Sequence, residues 1–290
     1  MKAASFSYLR PATVAEACEA LSADSESRVL AGGQTLVPML AMRLSRPSLL
    51  IDITRLQDLR TIEDMEAGIV IGASVRQAEA LVSDLIAREV PLLAAALPHV
   101  GHPPTRARGT VGGSIAHGDP SAEIALAATI LGARIVFQVD DRTEDFEPEN
   151  FFIGPTMTMA PMGGLLTHLI FPKRPDGAVG AGFREIASRR SDYAFASAGA
   201  QIRLNEDGRC AQAWMGVGSV GDVPLAFDVS GLSGTRLTDD DLDKAVDAAL
   251  AALDCVDDMH ATSTYRRRAA ARLAVQALTD ARDQATGARA

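Results

Sequence analysis

The sequence predicts an α+β protein: a two-part α/β domain over residues 1–175, subdivided as 1–55 and 56–175, followed by a C-terminal α+β domain over 176–290. Three observations carry this expectation. Up to Phe171, short apolar runs of strand length alternate with segments of helical period, which is the pattern of α/β units. Pro172-Lys173-Arg174-Pro175-Asp176-Gly177 is the strongest linker in the chain, because proline and glycine interrupt both periodicities. Beyond it, three strand-like runs precede two helices, the order of a separate α+β unit.

In the first part, Phe6-Ser7-Tyr8-Leu9 leads to Pro11, and Thr13 opens a helix through Leu21 whose apolar face includes Cys18. Arg28–Ala31 is a strand running into glycines, Thr35 opens a short helix to Leu44, and Leu49–Ile53 is a buried strand. In the second part, Gly68–Gly72 is strand-like and helices are expected over Val75–Ser83 and Glu89–Leu97. A helix over Glu123–Leu131 is followed by strands Ala133–Val139 and Leu165–Phe171. The C-terminal part reads as strands Ala178–Ile186, Ser197–Leu204 and Cys210–Val217, then helices Asp239–Leu253 and Thr264–Thr279. The tail Asp280–Ala290 lacks periodicity and is expected to fray.

Composition excludes several functions. The chain has 290 residues, enough for two cores, and is 47% hydrophobic, which argues against disorder. A net charge of −9 disfavours nucleic acid as a partner. Apolar stretches are broken by glycine, proline or charge, so no membrane span is expected; the N-terminus lacks an apolar leader, and a cytoplasmic location is the simplest expectation. Three isolated cysteines, Cys18, Cys210 and Cys255, cannot ligate a four-cysteine iron–sulfur cluster and make no disulfide framework. The five histidines show no metal-ligand spacing, so no metal site is expected. No catalytic acid–base pair or nucleophilic triad is recognisable.

Two glycine-rich segments stand out: Ala31-Gly32-Gly33-Gln34-Thr35-Leu36 and Gly109-Thr110-Val111-Gly112-Gly113-Ser114-Ile115. Glycine lets the main chain approach a ligand, and successive N–H groups in such turns cradle phosphate oxygens. Thr35, Thr110 and Ser114 can add hydroxyl donors. Two cradles could grip a pyrophosphate from opposite sides. Taken alone, a Gly-Gly pair is more often a tight turn, and neither segment fits a P-loop or a Rossmann fingerprint.

The flanking residues add specificity. The runs LAGGQTLVPMLAMRLSRPSLLID (30–52), VGHPPTRARGTVGGSIAHGDPSAEIALAA (100–128) and FREIASRRSDYA (183–194), in this order and spacing, closely resemble the FAD-binding medium subunit of molybdenum hydroxylases, the family of carbon monoxide dehydrogenase and xanthine dehydrogenase. The resemblance extends over nearly the whole chain. It implies a two-part FAD-binding domain of the para-cresol methylhydroxylase type and a C-terminal domain of the carbon monoxide dehydrogenase flavoprotein type. By resemblance, Ala31 to Leu36 forms the first FAD loop and Gly109 to Ile115 the second. Glu123 stands where the family usually has an aspartate reaching the ribose hydroxyls; its position also suits a helix N-terminus. Leu166 matches a position packing on the flavin, or is an ordinary core leucine. Tyr193 matches an aromatic near the isoalloxazine, and His117 follows the second glycine segment as a candidate cofactor contact. Glu185 departs from the lysine that relatives often carry, and His102 and Pro104 depart from the usual pattern before the second segment.

The resemblance implies an FAD-carrying electron relay. A small subunit would carry two [2Fe–2S] clusters and a large subunit the molybdopterin cofactor, assembled as a dimer of heterotrimers. FAD would pass electrons to an acceptor, with NAD, a quinone or a cytochrome all compatible. The substrate, carbon monoxide, a purine or an N-heterocycle, would be bound by another chain. A stand-alone FAD-dependent oxidoreductase with its own substrate pocket is the alternative, and a non-redox assembly protein is a third.

Overall fold

A computed structural model describes residues 2–288. The first unit is a small parallel sheet. Strand β1 (Ser7–Leu9), helix α1 (Val14–Ala23), β2 (Arg28–Leu30), α2 (Leu36–Met42) and β3 (Leu49–Asp52) follow in order, with β3 central between β1 and β2. Thr13 caps α1 by accepting the Glu16 N–H at 3.1 Å. As expected, Cys18 is buried, and its Sγ lies 3.4 Å from the Gln138 carbonyl of the second unit.

The second unit contains β4 (Ile62–Met65), β5 (Gly68–Gly72), α3 (Gln77–Leu81), α4 (Asp84–Glu89), α5 (Pro91–Ala96), α6 (Pro103–Arg106), α7 (Val111–His117), α8 (Glu123–Leu131), β6 (Arg134–Val139), β7 (Arg142–Phe146), α9 (Pro148–Phe151), β8 (Phe152–Gly154), β9 (Met157–Thr158) and β10 (Leu165–Phe171). Its main sheet is antiparallel in the order β4-β5-β10-β6-β7. Helix α8 is almost wholly buried between this sheet and the C-terminal unit, with Ile124, Leu126 and Ala127 fully enclosed.

Two helix expectations here are corrected. The segment expected as Val75–Ser83 is helical only over Gln77–Leu81, because Ser83 accepts the Ile86 N–H and starts α4. The segment expected as Glu89–Leu97 is divided between α4 and α5, because Pro91 has no N–H to continue a helix but suits its first turn.

The C-terminal unit is an antiparallel sheet of β11 (Ala178–Ile186), β12 (Ala196–Leu204), β13 (Cys210–Gly218) and β14 (Leu225–Phe227), followed by α10 (Asp239–Ala249) and α11 (Ser263–Ala285). The fraying expected from Asp280 is overturned through Ala285. There α11 lies on β11: Arg184 forms two hydrogen bonds with Asp280, Ala281 is fully buried, and Gln284 Oε1 accepts the Ala181 N–H at 2.7 Å. Small apolar residues at Ala270, Ala274, Ala277 and Ala281 let the helix sit close to the strands. The last two residues of the expected tail lie outside the described residues. None of the described helices is long and apolar enough to cross a membrane.

One buried cation fastens the start of α11. Arg266, 4% exposed, donates to the carbonyls of Phe195 (2.6 Å) and Ser219 (2.5 Å) and to Asp258 (2.6 Å). Removing it strands two carbonyls at the ends of β12 and β13. Arg266→Ala is therefore expected to cost about 3 kcal/mol, read as a lowered urea midpoint; a change within 0.5 kcal/mol, a typical surface effect, would refute this fastening role.

Candidate functional site

The first glycine segment links β2 to α2. Gly33 has φ +72°, a left-handed conformation that glycine adopts without strain. The N–H groups of Gly32, Gly33, Gln34 and Thr35 donate to no group among the described residues. Four consecutive residues thus have unspent donors, the property that an anion cradle requires.

The second segment is built differently. Thr110 is the N-cap of α7, and its Oγ1 accepts the Gly113 N–H at 3.0 Å. Most other N–H groups serve the fold: Gly109 donates to Thr105, Val111 to Val75, Gly112 to Ala73 and Ser114 to Thr110, while the Thr110 N–H donates to no group among the described residues. Gly112 is glycine because a Cβ there would lie 2.5 Å from that of Ala73. Val111 and Ile115 are fully buried core residues of the second unit and do not line the site. Gly112 thus serves helix packing, whereas Gly113 lines the cleft and a Cβ there would meet only Thr110.

The two segments nevertheless meet. A Cβ on Gly32 would lie 2.4 Å from the Arg108 carbonyl oxygen and 2.8 Å from Gly109 Cα, so the backbones touch. Their junction lies in the wall of a single cleft of about 950 Å³, at the upper end for small-molecule and cofactor sites. Ala31 through Leu36, Gly109, Thr110, Gly112, Gly113, Ser114, His117, Glu123, Leu166 and Tyr193 all line it. Leu166 is buried beside a β-bulge of β10, whereas Tyr193 is 74% exposed at the rim. His102 lines the cleft as the residue before α6, and Pro104 lies within that helix. Several further lining residues carry no sequence signal of their own, including Arg28, Gln77, Asp119 and Thr156. Asp119 is held in a turn, its Oδ1 accepting the Ser121 N–H at 2.8 Å.

The cleft is electrically uneven. Arg28 and the free N–H groups of Gly32–Thr35 belong to one part. Elsewhere in its lining, Asp119, Glu123 and Tyr193 are within electrostatic reach of one another. Burial pushes the Glu123 carboxyl up to about 8, reinforced by Glu185 and Asp119 and opposed by its helix N–H and Arg106. Glu185 itself, on β11, is nearly enclosed, with Oε1 3.2 Å from Nδ1 of His99.

A carboxyl with a raised folded value binds a proton that the unfolded chain has released between about pH 4.5 and 8. Folding stability contributed by Glu123 is thus complete below that window and declines as pH rises through it. In thermal melts, the stability of the parent relative to Glu123→Gln is expected to fall between pH 5 and pH 8. A constant difference would show that Glu123 ionises normally.

The residues fit a dinucleotide: unspent N–H donors for a pyrophosphate, a carboxyl for a diol and apolar or aromatic side chains for ring systems. Comparison with known proteins agrees. Residues 4–174 match the family model of the FAD binding domain in molybdopterin dehydrogenase, and residues 181–281 match the CO dehydrogenase flavoprotein C-terminal domain. The nicotine 6-hydroxylase medium subunit of Paenarthrobacter nicotinovorans is 35% identical over 92% of this chain and 93% of its own length. The carbon monoxide dehydrogenase medium chain of Afipia carboxidovorans is 31% identical over 92% and 93%. The crystal structure of quinoline 2-oxidoreductase from Pseudomonas putida 86 superimposes with a TM-score of 0.91 at 30% identity, over 99% of both chains. The chain belongs to the family of FAD-binding medium subunits of molybdenum hydroxylases.

Proposed function

We propose that this chain is the electron-relay subunit of a molybdenum hydroxylase, taking electrons from [2Fe–2S] clusters of a small subunit and passing them to an outside acceptor. A large molybdopterin subunit would oxidise the substrate, and the assembly would be a dimer of heterotrimers. The observation that carries this is the cleft, where unspent N–H groups of Gly32–Thr35 share one cavity with Glu123, Leu166 and Tyr193. Relatives matched over more than nine-tenths of their length are medium subunits of hydroxylase and dehydrogenase complexes.

Gly32 to Thr35 would hold the pyrophosphate of FAD, with Thr110 and Ser114 adding hydroxyls from the facing segment. Glu123 would engage the sugar diol, and Leu166 and Tyr193 would bracket the ring, with His117 close by. When bound, FAD supplies the redox chemistry, accepting electrons singly and releasing them singly or in pairs; the protein supplies binding, orientation and field. We read the chain as two domains meeting at Pro172–Gly177, with 1–175 holding the cofactor and 176–290 contributing Tyr193 to the rim.

Two experiments test these assignments. Gly33→Val places a branched side chain at φ +72°, against Val37 and Leu30, and is expected to abolish FAD retention on gel filtration while the protein stays folded; full flavin absorbance in the folded variant would refute the cradle. The second compares the chain expressed alone with the chain expressed beside its neighbours. Alone, it is expected to accept electrons from an artificial reductant and to hydroxylate nothing; with them, it should co-purify in a stable complex. Substrate-dependent turnover by the single chain would instead establish a stand-alone oxidoreductase.

A further inference from the structure

Glu185 is the most conspicuous charge that the cofactor assignment leaves unexplained. Its side chain is only 9% exposed. Oε1 is held by His99, whose ring also packs on Phe183 at 5.1 Å between centroids. Oε2 is buried and has no hydrogen-bond partner among the described residues. A carboxyl oxygen kept dry with no donor is costly, and the antiparallel neighbour of Glu185 on β12, Ser197, does not satisfy it. A buried carboxyl with one oxygen unsatisfied calls for a purpose beyond packing.

Its surroundings indicate one. Glu185 acts on Glu123 of α8, which also feels Asp119 from the turn before α8 and Arg106 from α6, and His99 from the turn after α5 holds Glu185 itself. Three carboxyls thus face one arginine and one histidine. The unspent N–H groups and Arg28 lie in the other glycine segment and its strand. A dinucleotide entering this cleft would place its anionic pyrophosphate against the N–H donors. Its uncharged ring would be left to the region rich in carboxyls. Adding electrons to that ring brings negative charge toward a buried negative charge, in a place where water screens poorly.

We propose that the Glu185 carboxylate, held by His99 beneath the carboxyl-rich part of the cleft, sets the redox poise of the bound cofactor by opposing its gain of electrons. Glu185 is a positioning charge in this scheme and makes no contact with the cofactor. The inference rests on the cleft being the FAD site.

The test is a reductive titration of the FAD-loaded chain with dithionite against a reference dye, for the parent and three variants. Glu185→Gln and Glu185→Met both remove the charge and are expected to shift the flavin potential in the positive direction. Glu185→Asp keeps the charge and is expected to stay near the parent. Thermal melts of the same variants without FAD report packing separately, and Glu185→Met is expected to melt at or above the parent because it removes the orphaned oxygen. Unmoved potentials in the Gln and Met variants overturn the proposal. So does a shift of equal size in all three, which would assign the effect to packing. A parent chain that takes up no FAD overturns the cofactor assignment itself and this inference with it, whereas FAD uptake with unmoved potentials overturns this inference alone.

Discussion

The site depends on the contact of Gly32 with the backbone at Arg108 and Gly109. No side chain larger than hydrogen fits there, since a Cβ would sit 2.4 Å from a carbonyl oxygen. That contact sets the first unit, a parallel sheet, against the second, an antiparallel one. It leaves a cleft between them rather than a sealed interface. Behind the second segment, Gly109 presses on Gln77, where a Cβ would lie 2.4 Å from Oε1. The junction is therefore supported from α3 as well, and the wall of the cleft is a stack of close backbone approaches.

The two glycine segments divide the labour. In the first, the chain leaves β2 through a left-handed glycine and enters α2 with its N–H groups unspent. In the second, an N-cap and contacts with Ala73 and Val75 take up most of the donors, and Gly112 lets α7 seat against the extension of β5. The first segment offers the cleft main-chain donors, and the second offers mainly the hydroxyls of Thr110 and Ser114 on a rigid support.

Opposite the donors, the C-terminal unit brings its own charge. Strand β11 carries Glu185 toward α8, while α11, clamped by Arg184–Asp280 and Arg266, holds β11 and β12 in place. The raised Glu123 carboxyl and the half-satisfied Glu185 are products of that arrangement. Both depend on dryness: burial penalises the ionised form of Glu123, and neighbouring carboxylates add to the penalty. The field in the cleft is thus determined by how the C-terminal sheet covers α8.

The sequence by itself determined the order of the three units, the positions of the central strands and long helices, and the glycine turn after β2. These follow from local rules: apolar period, proline and glycine breaks, and the conformational freedom of Gly33. It also pointed to Glu123, Leu166 and Tyr193 through the runs in which they stand. Tertiary structure alone decided that Val111 and Ile115 face a core, that Gly112 packs on Ala73, and that α11 continues to Ala285 because Asp280, Ala281 and Gln284 find partners on β11. It alone paired His99 with Glu185, residues 86 positions apart whose contact no local pattern encodes. The physical reason is the same in each case: hydrogen-bond partners and dryness are properties of what folds against a residue, and periodicity along the chain carries no record of them.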